Sequence, residues 1–142
     1  MANKEHVGML GEGADAWNQW RKDQAITPDL SGADFSSKDL SGAWLQDSNL
    51  SRANLRGADL RDATLDRVNL SGASLREANL QVVDLSVAKR GLQTEQLAGA
   101  DLTGATLPPE LTKLYDPLEN VNNISESARK LFLAVLAACL YS

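Results

Sequence analysis

From Leu30 to Leu85 a large apolar residue recurs at every fifth position: Leu30, Phe35, Leu40, Leu45, Leu50, Leu55, Leu60, Leu65, Leu70, Leu75, Leu80 and Leu85. Two positions before most of them stands a small residue, as at Ala33, Ala43, Ser48, Ala53, Ala58, Ala63, Ala73 and Ala78. The register returns at Leu97, Leu102 and Leu107, with Ala100 and Ala105 in the small positions. Neither regular element turns such a period to one side. In a straight strand, residues five apart face opposite ways. In an α-helix, five residues overshoot a full turn by about 140°. A chain that bends the same way every five residues places the apolar and the small residue inside and the other three in water. Stacked coils of this kind bury one continuous column. The pattern therefore predicts a solenoid with these apolar positions as its structural core.

The unit reads Ala53-Asn54-Leu55-Arg56-Gly57 and then Ala58-Asp59-Leu60-Arg61-Asp62, and in this form it resembles the pentapeptide repeat family. The resemblance covers residues 28–107. It implies an all-β solenoid, a right-handed quadrilateral parallel β-helix with four pentapeptides to the coil and about four coils. Residues twenty apart then stack, which places Asn49 on Asn69, Asp39 on Asp59, and Arg56 on Arg76. Arg56 beside Asp59, and Arg61 beside Asp62, would relieve the like charges.

The chain divides into three segments: 1–27, 28–107 and 108–142. Residues 1–12 show no period and are broken by Gly8 and Gly11, so they read as a loosely docked tail. His6 has no second ligand or catalytic partner nearby in sequence. Residues 14–23 read as a short helix, with Asp15 as N-cap and Arg21 and Lys22 suited to its C-terminal dipole. Trp17 and Trp20 are three apart and share a face. They form either a ligand platform or a cover for the open end of the leucine column. Solenoid ends expose apolar side chains and unpaired edges, which favours the N-terminal cap. Pro28 takes the small slot of the first repeat, where a missing N–H suits an edge. Lys38 also occupies an inward slot, so its ammonium should reach out to water or to a carboxylate.

Between Leu85 and Leu97 the spacing is twelve, two more than two repeats. The segment 86–96 is thus an inserted loop, with a short turn or one-turn helix starting at Thr94-Glu95-Gln96 and Leu92 as anchor. Lys89 and Arg90 at its entry make it a candidate contact surface.

Pro108-Pro109 ends the coil, and 108–123 reads as a wrapping connection. A helix then starts at Asn123 or Ser125 and carries an apolar stripe through Leu131, Phe132, Val135, Leu136 and Leu140. The run 131–141 is apolar all round, more than one solenoid face can cover, so this is a candidate association helix. It can dock on the last coil, pair with a second copy through Ala134, Ala137 and Ala138, or enter a bilayer. Spanning takes about twenty residues. A membrane-linked protein would follow only if the natural chain continues past Ser142, with Arg129 and Lys130 keeping the repeats cytoplasmic.

Composition narrows the task. Among the 142 residues the net charge is −5, with one histidine and one cysteine, Cys139, which excludes an intrachain disulfide. Residues 28–107 hold eleven acidic and eight basic residues, a balance that argues against a nucleic-acid binder with a basic stripe. No glycine-rich phosphate loop, metal-spaced cluster or activated nucleophile is visible, so no cofactor, metal, small-molecule substrate or enzymatic activity is expected. No charged stretch followed by an apolar run is visible at the start, so no signal peptide and a cytoplasmic location are expected. The sequence favours a non-enzymatic scaffold for an unknown protein partner. The membrane-linked chain is the alternative. A third reading, drawn from the family resemblance, is a DNA-mimicking rod that binds gyrase. Here the rod would be only about 19 Å long at roughly 4.8 Å per coil, and arginines interrupt its charge.

Overall fold

The computed structural model describes residues 1–88, 92–109 and 111. The corner is the unit from which its coil is made. After each inward apolar residue a four-residue turn closes: Ala33 N donates to Leu30 O, Lys38 N to Phe35 O, Ala43 N to Leu40 O and Ser48 N to Leu45 O. The third residue of each turn has a positive φ, with Gly32 at 69°, Ser37 at 57°, Gly42 at 72° and Asp47 at 61°. Type II turns have this φ at that position. Four such corners bring the chain back above its start, and Asp29, Asp34, Asp39 and Trp44 pair with Asn49, Asn54, Asp59 and Thr64 of the next coil.

With a corner every five residues, one residue per repeat is left to pair. The ladder among the described residues accordingly consists of isolated parallel bridges, where the sequence suggested an all-β solenoid with strands. Each rung is still regular: Leu55 N donates to Ser74 O at 2.8 Å and Ser74 N to Ala53 O at 2.9 Å. On the face of Asp39 the bridges climb through Asp59 and Asn79 to Asp101.

The column inside is filled as the periodicity requires. Leu30, Phe35, Leu40, Leu45, Leu50, Leu55, Leu60, Leu65, Leu70, Leu75, Leu80, Leu85, Leu97 and Leu102 are buried, none more than 3% exposed. Leu107 is half-buried. Val68 and Val83 are buried in small-residue slots, and so is Ser48, whose hydroxyl has no partner among the described residues. Lys38 holds an inward slot by register, yet its side chain is exposed. Bending the long stem outward avoids desolvating the ammonium.

Two segments depart from the sequence expectations. Residues 1–12 are not a loose tail. They contain helix α1, Lys4–Gly11, whose N-cap Asn3 accepts from the backbone N–H of Glu5 and His6. Gly8 and Gly11 are tolerated because His6 and Leu10 bury the inner side and the Asn3 cap satisfies the first turn. Helix α2, Ala14–Arg21, is capped by Gly13 rather than by Asp15, which lies in the first turn. Carboxylates are stabilised in that turn as well.

The insertion resolves into a 3₁₀ helix, Thr94–Leu97, with a reciprocal cap between Gln93 and Gln96 and with Leu92 half-buried. Beyond it the stacking interval changes: Asp59 pairs with Asn79, but Asn79 pairs with Asp101 and Asp84 with Thr106. The two extra residues fall between Val87, which accepts from Arg67 N, and Gln96, which accepts from Leu75 N, and the ladder resumes. Lys89 and Arg90, and the association helix with Leu131, Phe132, Val135, Leu136 and Leu140, lie outside the described residues.

Candidate interaction surface

The outer wall is set by the residue that precedes each leucine. An aspartate or asparagine there accepts a hydrogen bond from the backbone N–H two residues on: Ser31 to Asp29, Ser36 to Asp34, Ser41 to Asp39, Arg56 to Asn54, Arg61 to Asp59 and Thr103 to Asp101. This is the Asx-turn, in which a side chain locks the start of a corner. Between coils the amides form ladders. Asn49 Nδ2 donates to Asp29 Oδ1, Asn69 Nδ2 to Asn49 Oδ1, and Asn54 Nδ2 to Asp34 Oδ1 at 3.1 Å.

Hydrogen bonding also tunes charge. The Ser31, Ser36 and Ser41 side chains, with the backbone N–H of the same residues, hold Asp29, Asp34 and Asp39 below the usual carboxylate range. Asp101 is lowered in the same way by Thr103, and Asp59 chiefly by Arg61. The wall is thus anionic at neutral pH but partly neutralised. Arg56 pairs with Glu77 at 2.9 Å, Arg67 with Asp47 at 2.6 Å, and Arg61 with Asp59. These differ from the partners expected from sequence, Asp59 for Arg56 and Asp62 for Arg61. A neighbour in the next coil is nearer than one along the chain, and the Asx-turn aims Arg61 at the side chain two residues back.

The N-terminal helices reach the first coil through directed hydrogen bonds. Trp17 is fully buried, and its indole Nε1 donates to Trp44 O at 2.8 Å. Asn18 accepts from Trp44 N and donates to Gly42 O. Arg21 donates from Nη2 to Gln46 O at 3.1 Å. On the adjoining face Asn3 N donates to Asp29 O and His6 Nδ1 accepts from Asp29 N. Trp20 is half-buried, with its ring centroid 5.0 Å from that of Trp17 and 5.2 Å from that of His6. The two tryptophans meet, Trp17 within the core and Trp20 packed against it. Asn18 and His6 as edge partners escaped the sequence reading. A polar residue beside two tryptophans gives no periodic signal.

The described residues hold no group of three or more histidines, cysteines, aspartates or glutamates placed to bind a metal. No helix among them is long and apolar enough to cross a membrane.

Residues 29–52 and 53–86 match the profile of pentapeptide repeats, in eight copies. A comparison with curated protein sequences finds no match. Among solved structures the chain is similar to QnrB1, a plasmid-mediated fluoroquinolone resistance protein, at 22% identity and a TM-score of 0.48. That match covers 58% of this chain and 42% of the other, so the chain spans about two fifths of that protein's resolved length. A pentapeptide repeat protein of the Arabidopsis thaliana thylakoid lumen is 25% identical, with a TM-score of 0.46, over 74% of this chain and 87% of the other. HetL, a pentapeptide repeat protein involved in heterocyst differentiation regulation in the cyanobacterium Nostoc, is 37% identical, with a TM-score of 0.37, over 58% of this chain and 41% of the other. Pentapeptide repeat proteins form right-handed quadrilateral β-helices and are generally non-enzymatic scaffolds. Residues 29–86 match pentapeptide repeats, and over that stretch the chain is similar to the pentapeptide repeat family.

Proposed function

We propose that this chain is a non-enzymatic scaffold whose coil wall docks a protein partner, with helices α1 and α2 capping the N-terminal end. One observation carries the reading. The outward side chains stand on corners fixed twice, by an Asx-turn within the coil and by ladder bonds to the coils beside it. A surface already held in one conformation loses little entropy on binding, and that favours recognition. The wall's mixed charges, paired as Arg56–Glu77 and Arg67–Asp47, suit a protein surface better than they suit mimicry of a uniformly anionic duplex. In this reading residues 1–27 seal the column, 28–107 present the wall, and the apolar run 131–141 supplies a second contact.

Affinity capture with the intact chain, against a variant carrying Arg52→Glu and Arg76→Glu on exposed corner positions, tests the proposal. The expected result is a partner retained by the intact chain and lost by a variant with unchanged melting. Enrichment of no protein over the control, or equal enrichment by both chains, would overturn it.

A further inference from the structure

We infer that the N-terminal edge of the coil between Asp34 and Ser41 takes a segment of a partner protein that carries arginine or lysine and turns with the coil, one extended residue to each face. The inference rests on the scaffold reading and narrows it to one edge and one partner chemistry.

Every face of the coil presents one donor and two acceptors toward its N-terminal neighbour. At Asn54 these are its N–H, given to Ala33 O, its carbonyl, which accepts from Phe35 N, and the carbonyl of Arg56, which accepts from Ser37 N. The first coil has no coil before it. On the Trp44 face all three groups are met by side chains of α2: Asn18 Oδ1 on Trp44 N, Trp17 Nε1 on Trp44 O, and Arg21 Nη2 on Gln46 O. On the Asp29 face His6 and Asn3 meet the N–H and the carbonyl. The next two faces are left. Among the described residues nothing bonds to the N–H or carbonyl of Asp34, the carbonyl of Ser36, the N–H or carbonyl of Asp39, or the carbonyl of Ser41.

This stretch is also reachable. Asp34 and Asp39 are exposed. A groove of about 440 Å3 runs beside the second face, between Asp39 and Ser41 on one side and Gly11 to Asp15 on the other. An unpaired edge beside a groove is the geometry by which an extended peptide adds to a sheet through its backbone.

Charge names the occupant. Among the described residues the exposed carboxylates of Glu12, Asp15, Asp34 and Asp39 surround the edge, against the cations of Lys38 and of Arg61, which is already paired with Asp59 in the next coil. The molecule also contains its own precedent. The carbonyl of Gln46 holds the position on the Trp44 face that the carbonyls of Ser36 and Ser41 hold on the open faces, and its partner is the guanidinium of Arg21. A basic side chain of an incoming segment can therefore reach the second acceptor while its backbone serves the first acceptor and the donor.

The test is an NMR titration of the full chain with an end-blocked peptide of alternating arginine and valine. The amides of Asp34 and Asp39 should shift and exchange more slowly, while those of Asp29 and Trp44 stay unmoved. The double variant Asp34→Asn, Asp39→Asn keeps the turn-forming acceptors and should bind roughly fivefold more weakly, as two exposed ion pairs allow. The same peptide N-methylated at alternate residues should lose the exchange protection. Four results would overturn the inference: no shift at about 1 mM peptide; shifts spread along the wall; equal protection by the methylated peptide; or self-association of the free chain through these amides, which would assign the edge to a second copy. None of them touches the wall reading, which stands or falls on the capture experiment with Arg52 and Arg76.

Discussion

Gln96 bonds to Ala73 with its side chain where the regular coil would use its backbone. The 3₁₀ turn draws the N–H of Gln96 to Gln93 O, and its Nε2 donates instead to Ala73 O and Leu70 O, each at 2.7 Å. Its carbonyl stays in the ladder and accepts from Leu75 N. One glutamine thus carries the rung across the two-residue insertion. Replacing Gln96 by Met keeps the length and removes the donor, leaving Ala73 O in a part-buried site without its partner. We expect a loss of about 1–3 kcal/mol, read as a lower denaturant midpoint at unchanged slope.

Val82 sits at a corner with φ of 61° and is 74% exposed. A β-branched residue in the left-handed region is strained, by about 1–2 kcal/mol. Val82→Asn should relieve it and stabilise the chain by about 1 kcal/mol, seen as a higher melting temperature. An unchanged or lower value would show that packing against Gly104 above it outweighs the strain.

Leu60 lies mid-column and is 1% exposed. Leu60→Ala should cost about 2–5 kcal/mol through lost burial and the cavity left behind. Arg61→Ala next to it breaks only a surface ion pair with Asp59 and should cost about 0–1 kcal/mol. Chemical denaturation of the two variants side by side measures the contrast.

Acid should loosen the corners. Asp34, Asp39 and Asp101 have folded-state pKa values below their unfolded ones, because hydrogen bonds from Ser36, Ser41 and Thr103 favour the carboxylate. A depressed pKa contributes stability that is present above the unfolded value, about 3.9, and is lost as pH falls through the folded value. Stability should therefore drop as pH is lowered below about 4. In the triple variant Asp34→Asn, Asp39→Asn, Asp101→Asn the drop should be shallower, since asparagine accepts the same turn bond without titrating. Denaturant midpoints measured down the pH range compare the two.

Removing residues 1–24 should uncover Trp44, Gly42 and Gln46 together with the end of the column. The expected outcome is association or aggregation, followed by light scattering. Asn18→Leu is the milder form. It deprives Trp44 N and Gly42 O of partners and should cost about 1–3 kcal/mol without releasing the helix.

The leucine column was legible because the period of five has one physical solution, and each leucine from Leu30 to Leu85 reports it independently. Gly32, Gly42, Gly57 and Gly72, each two residues after a leucine, take the left-handed corner, a signal the period of apolar residues did not draw on. Ser37, Arg52 and Val82 share that corner without glycine, so composition alone understates it. The first helix was not legible. Its two glycines speak against helix, and what holds it is contact with the coil, which no local pattern records. The edge partners Asn18, His6 and Gln96 were hidden for a related reason. Each acts once, and a repeat reveals only what recurs.

The stacking of corners has a consequence for how the chain acquires its shape. A rung joins residues about one coil apart, and the longest hydrogen bond between the helices and the coil, from Trp17 to Trp44, spans 27 residues. No distant partner has to be found before a coil can close, so folding can start at any neighbouring pair and advance rung by rung in either direction. As the chain leaves the ribosome, the first coil is complete once the second has emerged, and α2 can settle on its edge while later repeats are still being made.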